Sequence, residues 1–201
     1  MKRNAFGLSM LLGATLVVGC GPEAMPEGGE EAVRTEAAPK DVDEVLAALG
    51  YCDDVASPNS SWVTLENQIL TLVNQKRAAG ATCGGVKKAA TGALSMDSRL
   101  RCAARKHSKD LGQTNTFSHT GSNGSSPWDR MKSAGYTSYS QAAENIAAGG
   151  STAEATMTQW MNSEGHCNNI MAPGLTQLGV GYFYASGSTY KHYWTQDFGR
   201  P

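Results

Sequence analysis

After Pro173 the apolar pattern of this chain changes period. Before that point apolar residues recur three and four apart; beyond it they alternate. Leu178, Val180, Tyr182 and Tyr184 alternate with small residues, and Ala185 to Thr189 supply a turn. Tyr190, His192, Trp194, Gln196 and Phe198 then alternate on a second strand. Helices first and a hairpin last predict an α+β fold.

The helical part has clear punctuation. Leu65, Ile69, Leu72 and Val73 line one face of a first helix that starts near Asn59 and stops at Gly80. Asp97 caps a second helix, with Leu100, Ala103, Ala104, His107 and Leu111 on one side. Ser126-Pro127 opens a third, which Gly135 closes. Ser151 with Glu154 forms a capping-box pattern before a fourth, carrying Met157, Trp160 and Met161.

The first residues belong to a different class. Lys2 and Arg3 precede an apolar run from Ala5 to Val18, the length of a signal-peptide core and short for a membrane span. The run ends in Val17-Val18-Gly19-Cys20, which resembles a bacterial lipobox, so residues 1–20 are expected to be a lipoprotein signal and Cys20 the lipidated residue. The other reading is an ordinary secretory signal cut nearby. Residues 21–58 read as an acidic linker, with a short helix at 41–49 capped by Asp41. Residues 59–201 form the domain. Ten acidic residues stand against Arg34 and Lys40 between Glu23 and Asp54; from Asn59 onward 13 Lys or Arg face 8 Asp or Glu. The split reads first as a solvated tether joined to an ordinary surface; the second reading, from Arg99, Arg101, Arg105, Lys106 and Lys109 crowding one helix, is a weak pull on anionic envelope polymers. Export argues against nucleic acid as a partner. Setting Cys20 aside leaves Cys52, Cys83, Cys102 and Cys167, an even number that reads as two disulfides in an exported chain; the spacing admits all three connectivities.

Several words recur in one order: Asn74-Gln75-Lys76-Arg77 on helix one, Phe117-Ser118-His119, Ala143-Glu144-Asn145-Ile146, Trp160-Met161-Asn162-Ser163-Glu164-Gly165-His166, and Tyr193-Trp194-Thr195-Gln196-Asp197-Phe198. Together they resemble the bacterial branch of the CAP superfamily (cysteine-rich secretory, antigen 5 and pathogenesis-related proteins) over about residues 64–199. The resemblance implies a three-layer α-β-α sandwich with a central cleft. It implies a cleft tetrad of two His and two Glu, of which His119, Glu144 and His166 carry over. Glu164 stands next to the fourth position; it either restores a second carboxylate or takes a surface place where bacterial relatives have proline. The resemblance also implies Cys83 paired with Cys167, leaving Cys52 for Cys102. The runner-up is Cys83–Cys102 with Cys52–Cys167.

Two imidazoles and a carboxylate suit a divalent metal, Zn²⁺ or Mg²⁺, held by His119, His166 and Glu144. The separations, 25 residues from His119 to Glu144 and 22 on to His166, are not compact ligand spacings. The competing reading is a polar brace in which each imidazole is oriented by a carboxylate. His107 is expected as a packed core histidine and His192 as part of the sheet edge. Cys167 beside His166 makes no nucleophile–base pair, because such pairs are spatial. No nucleophile elbow, P-loop or dinucleotide fingerprint is present. The expectation is a lipid-anchored binding module of the cell surface, its cleft taking a lipid, a wall polymer or a protein. The alternative is a metal-dependent hydrolase using His119, Glu144, Glu164 and His166.

Overall fold

The computed structural model describes residues 50–201. The expected signal at 1–20, the lipidation site Cys20, the linker before Gly50 and the short helix at 41–49 lie outside the described residues. No helix among the described residues is long and apolar enough to cross a membrane.

A 3₁₀ turn at Asp53–Val55 leads into α1 (Ser60–Ala79), a small hairpin of β1 (Ala81–Cys83) and β2 (Val86–Lys88), and the two-residue β3 (Ser95–Met96). Then come α2 (Ser98–Thr114), α3 (Pro127–Ser133), β4 (Gln141–Ala148), α4 (Ala153–Asn162), α5 (Glu164–Met171), β5 (Gln177–Tyr184) and β6 (His192–Arg200). The caps follow from local chemistry. The Asn59 side chain accepts from Ser61 N–H, and Asp97 accepts from Arg99 and Leu100 N–H. Ser126 and Asp129 complete a reciprocal box with Pro127 in the first turn. The fourth helix starts one residue later than the pattern suggests, because Thr152 rather than Ser151 accepts from Ala155 N–H. It also breaks at Ser163, which has an extended backbone and separates α4 from α5.

The main sheet has the order β3-β5-β6-β4, with β3 parallel to β5 and the other pairs antiparallel. β4 is the strand the apolar pattern does not announce. It forms because all eight of its residues pair with β6, from Gln141 opposite Arg200 to Ala148 opposite Tyr193. α2 packs on one face of the sheet with α3 beside it; α1, α4 and α5 cover the other. This is the helix–sheet–helix sandwich implied by the resemblance. Leu178, Val180, Trp194 and Phe198 meet Ile69, Val73, Met157 and Trp160 in the larger core. On the opposite face Gly179 and Gly181 let α2 approach: a Cβ on either would overlap the α2 backbone at Leu100–Arg101 and Ala104–Arg105.

Charged groups finish the packing. Arg77 is fully buried and donates to the carbonyls of Gly92, Ile170, Ala172 and Leu175 at 2.6, 2.8, 2.9 and 3.1 Å, which fastens the end of α5 to α1. The five cations of α2 each meet a carboxylate: Arg99 with Asp97, Arg101 and Arg105 with the buried Glu66, Lys106 and Lys109 with Asp54. The last four hold the N-terminal turn and α1 in place. The disulfides are Cys52–Cys102 and Cys83–Cys167, with Cα separations of 5.7 and 5.5 Å. One ties the start of the domain to α2 and the other ties the β1–β2 hairpin to α5, each contributing about 4 kcal/mol by the loop it closes.

Candidate functional site

Register decides which side chains meet. On β4, Glu144 lies opposite Asp197 and Asn145 lies opposite Gln196. Neighbouring residues on a strand face opposite ways. The two carboxylates therefore share the α2 face of the sheet, and the two amides share the α1 face.

Glu144 is the hub of the first group. Its Oε1 accepts from His119 Nδ1 at 2.7 Å and its Oε2 from Arg130 Nη2 at 2.7 Å. His107 Nε2 stands 3.9 Å from Oε1. His119 sits in the connection between α2 and α3, which is pinned by its own carbonyls. His107 Nε2 donates to Ser118 O (2.9 Å), Arg130 Nη2 to His119 O (3.0 Å) and Arg130 Nη1 to Ser125 O (2.9 Å). So His107 is packed, as its helical position predicts, and it also fixes the histidine loop. The Glu144 and Arg130 side chains are 2% and 4% exposed while that of His119 is 52% exposed, so the network opens to solvent at His119.

Asp197 is fully buried, and neither of its oxygens receives a hydrogen bond from an N–H or O–H donor among the described residues. Desolvation pushes its carboxyl well above the usual range, and the neighbouring Glu144 charge pushes it the same way. A carboxyl that keeps its proton there has one to offer Glu144 across the strand pair. Burial alone would also raise Glu144, but the His119 hydrogen bond and the charge and hydrogen bond of Arg130 outweigh burial and hold it low. The pair thus consists of a carboxylate and a neutral acid. Burial takes His107 down to about 4, so it is neutral at neutral pH.

The second group is uncharged. Asn145 Nδ2 donates to Gln196 Oε1 (3.0 Å) and to His166 O (3.2 Å), while Asn169 Nδ2 donates to Asn145 Oδ1 (2.8 Å). These bonds hold the backbone of α5 at His166. Its ring lines a cleft of about 290 Å³ together with Phe117, Ile146, Ala148, Trp160 and Tyr190. Burial and then the nearby His119 charge lower its pKa.

Of the four residues singled out in the sequence, three gather at this end of the sheet and Glu164 does not. Glu164 is exposed at the start of α5, and its side chain lies over Gly84 in the β1–β2 turn. The carboxyl beside Glu144 is that of Asp197. A signal for it existed: a strand covered by helices on both faces leaves an acid no route to water. Arg130 had no comparable signal, being one more cation in a short helix.

The donor set bears on a metal. Both Glu144 oxygens are occupied, and no three His, Cys, Asp or Glu side chains gather as a ligand set among the described residues. The groups that remain are the imidazole of His166 and Nε2 of His119. Two imidazoles suit Zn²⁺ and fit Mg²⁺ poorly, since Mg²⁺ asks for oxygen ligands.

Known proteins place this arrangement. The uncharacterised protein YkwD of Bacillus subtilis (strain 168) is 40% identical over 142 residues, covering 71% of this chain and 49% of that protein. The uncharacterised membrane protein YlbC of the same strain is 34% identical over 135 residues, covering 67% of this chain and 34% of that one. The chain thus spans half or less of the curated relatives it matches. Among solved structures, an extracellular protein containing an SCP domain from Bacillus anthracis aligns with a TM-score of 0.57 at 30% identity, over 73% of this chain and 45% of that one. An outer surface protein of Borrelia burgdorferi aligns with a TM-score of 0.51 at 17% identity, over 66% of this chain and 92% of that one, a likeness of fold alone. Residues 70–198 match the model of the cysteine-rich secretory protein (CAP) family, and the chain belongs to that family.

Proposed function

We propose that this chain is an exported binding module that takes its ligand in the cleft beside His166. The supporting observation is the cleft itself: about 290 Å³, open to solvent, walled mostly by apolar and aromatic side chains. Such a site holds a ligand by shape and apolar contact and orients it with a few polar groups. The His166 ring has no hydrogen-bond partner among the described residues, so it is not set up as a base paired with a nucleophile. Export rests on the apolar run before Cys20 and on the extracellular protein of B. anthracis among the similar structures. Lipidation of Cys20 would hold the domain at a membrane surface, and a Cys20→Ala chain would then lose incorporation of labelled palmitate. The test of the cleft is retention. The purified chain, incubated with bacterial envelope lipid extract, wall-polymer digest or peptide pools, keeps a bound component in native mass spectrometry. A cleft-filling Ala148→Trp variant keeps none. Equal retention by both proteins, or none by either, would sink the proposal.

One observation favours a second reading as a metal-dependent hydrolase. His119 is oriented by a carboxylate through Nδ1 and keeps Nε2 uncommitted, the arrangement of an oriented ligand or general base. Zn²⁺ bound by His119 and His166 would supply a water activated at neutral pH. Glu144 would keep the His119 tautomer fixed, and Arg130 would keep Glu144 ionised. Chelator-stripped protein should then gain thermal stability with Zn²⁺, and His119→Ala/His166→Ala protein should not. A titration flat in both proteins leaves the network as a brace.

A further inference from the structure

We propose that the ligand of this cleft is an extended peptide that adds to the free edge of β4; this rests on the cleft-binding reading above. β4 is the last strand of the sheet, paired only with β6. Its backbone pattern can be read residue by residue. Gly149 N–H donates to His192 O at 2.9 Å, on the β6 side. Ile146 O and Glu144 O accept from Trp160 Nε1 (3.1 Å) and Asn169 Nδ2 (3.4 Å), on the far side. In an antiparallel pair these directions alternate, so the odd-numbered residues bond to β6 and the even-numbered ones turn outward.

Two outward carbonyls, those of Glu144 and Ile146, are thus satisfied by side chains of α5 and α4. Among the described residues no side chain reaches the edge of β4 beyond them. The N–H of Ile146 and both the N–H and C=O of Ala148 face outward with no hydrogen-bond partner among the described residues. Ile146, Ala147 and Ala148 all line the cleft. A sheet edge left open inside a concave site is a template for one more strand.

The walls state what the peptide carries. Phe117 and Tyr190, 47% and 49% exposed, meet edge-on at 6.0 Å beside the cleft. None of the cleft-lining residues is Asp, Glu, Lys or Arg. The seated stretch is therefore uncharged and places an apolar or aromatic side chain against these two rings. The two alanines leave room for a backbone to come within hydrogen-bond distance. Lipids and glycans would be held by the same apolar walls without using the edge.

The test uses the purified full chain to select peptides from a displayed random library, with Ala148→Pro protein as the counter-screen. Proline at an outward edge position deletes one N–H and no ladder bond, so the sheet tolerates it there. A selected peptide is then resynthesised with single N-methyl groups along its length. The expected result is a two-residue alternation: methylation at every second amide weakens binding tenfold or more, and the amides between stay within about twofold. Ala148→Pro should lose binding by a similar factor. If Ala148→Pro does not fold, the methylation series on the natural chain decides alone. A flat series, or no peptide that prefers the natural chain, overturns strand addition. Envelope lipid or wall polymer still excluded by Ala148→Trp would then leave the cleft as a binding site of another chemistry.

Discussion

Glu144 and Asn145 are adjacent on β4, as are Gln196 and Asp197 on β6, yet the two cross-strand pairs they form are solved in different ways. On the α2 face a carboxylate and an acid lie together, and the fold surrounds them with Arg130, His119 and His107. On the α1 face two amides bond to each other, to Asn169 and to the His166 carbonyl, with no charge involved. Both arrangements steady a histidine. The charged one grips the His119 ring through its Nδ1, and the neutral one grips the backbone under His166 and leaves the ring to the cleft. A charged network holds hard but only in one protonation state; an amide network holds less but at every pH. The two histidines therefore have different tolerances built into their supports.

The sharpest way to break the comparison is Arg130→Met. It leaves Glu144 buried with its charge partner gone, which should cost about 3–5 kcal/mol in urea unfolding. A cost below 1 kcal/mol would mean that the carboxylate relaxes to water and that the network is not the anchor of the His119 loop. Acid should come next. His107 falls from 6.5 in the unfolded chain to about 4 in the fold. Below pH 6.5 the unfolded chain takes up a proton that the folded one refuses, so stability is lost as pH falls from 6.5 to 4, by roughly 3 kcal/mol in all. Glu144, held low, extends the loss further down as its folded form is finally protonated. His107→Gln keeps a donor for Ser118 O and has no titration, so between pH 6.5 and 4 it should lose roughly 3 kcal/mol less than the natural chain, the remaining slope belonging to His166 and the carboxylates held low. An unchanged slope in that variant would move the effect to other groups.

What the sequence makes legible here is what has a local cause, and what it hides has a tertiary one. The hairpin was readable because β5 and β6 carry large apolar side chains at every second place. Asn59, Asp97 and Ser126 were readable as caps because their hydrogen bonds are local. β4 was not, since Gln141-Ala-Ala-Glu-Asn-Ile-Ala-Ala has little strand preference and owes its form to pairing with β6. The break at Ser163 was hidden for the same reason: it serves the approach of α5 to the sheet, a tertiary demand. Among the site residues, the ordered words singled out His119, Glu144 and His166. They could not tell Glu164, which faces away, from Asp197, which faces Glu144, because that distinction is one of register. Both disulfides followed from the resemblance and not from spacing.

On the neutral face, Asn145→Ala should have a smaller effect. It strands Gln196 Oε1 without a partner and leaves Asn169 Nδ2 only its longer bond to Glu144 O, and Gln196 Nε2 already has none among the described residues. The expected cost is about 1–3 kcal/mol, constant from pH 5 to 9. A cost that varied with pH would show that the amide side is coupled to the carboxylates through the strand, and the contrast between the faces would soften.

The smallest effect carries the most specific information. Asp197→Asn replaces a neutral acid by a neutral amide of nearly the same shape. The acid already offers Glu144 a proton, and the amide Nδ2 offers the same hydrogen bond. Below pH 3.8, where this carboxyl is neutral in the folded and the unfolded chain alike, the two proteins should therefore differ by about 0.5 kcal/mol or less. The difference should then grow in favour of asparagine. A carboxyl raised by burial contributes stability that is complete below its unfolded value of 3.8 and is lost as pH rises through its folded value. The natural chain loses that contribution toward alkaline pH and the asparagine chain has none to lose. Urea unfolding of both proteins at pH 3.5 and pH 9 reads the growing difference directly. A loss above about 2 kcal/mol in the variant at neutral pH would mean that Asp197 works as a carboxylate. Arg130 would then be neutralising two charges rather than one, and the charged face would be a different object from a carboxylate resting against an acid.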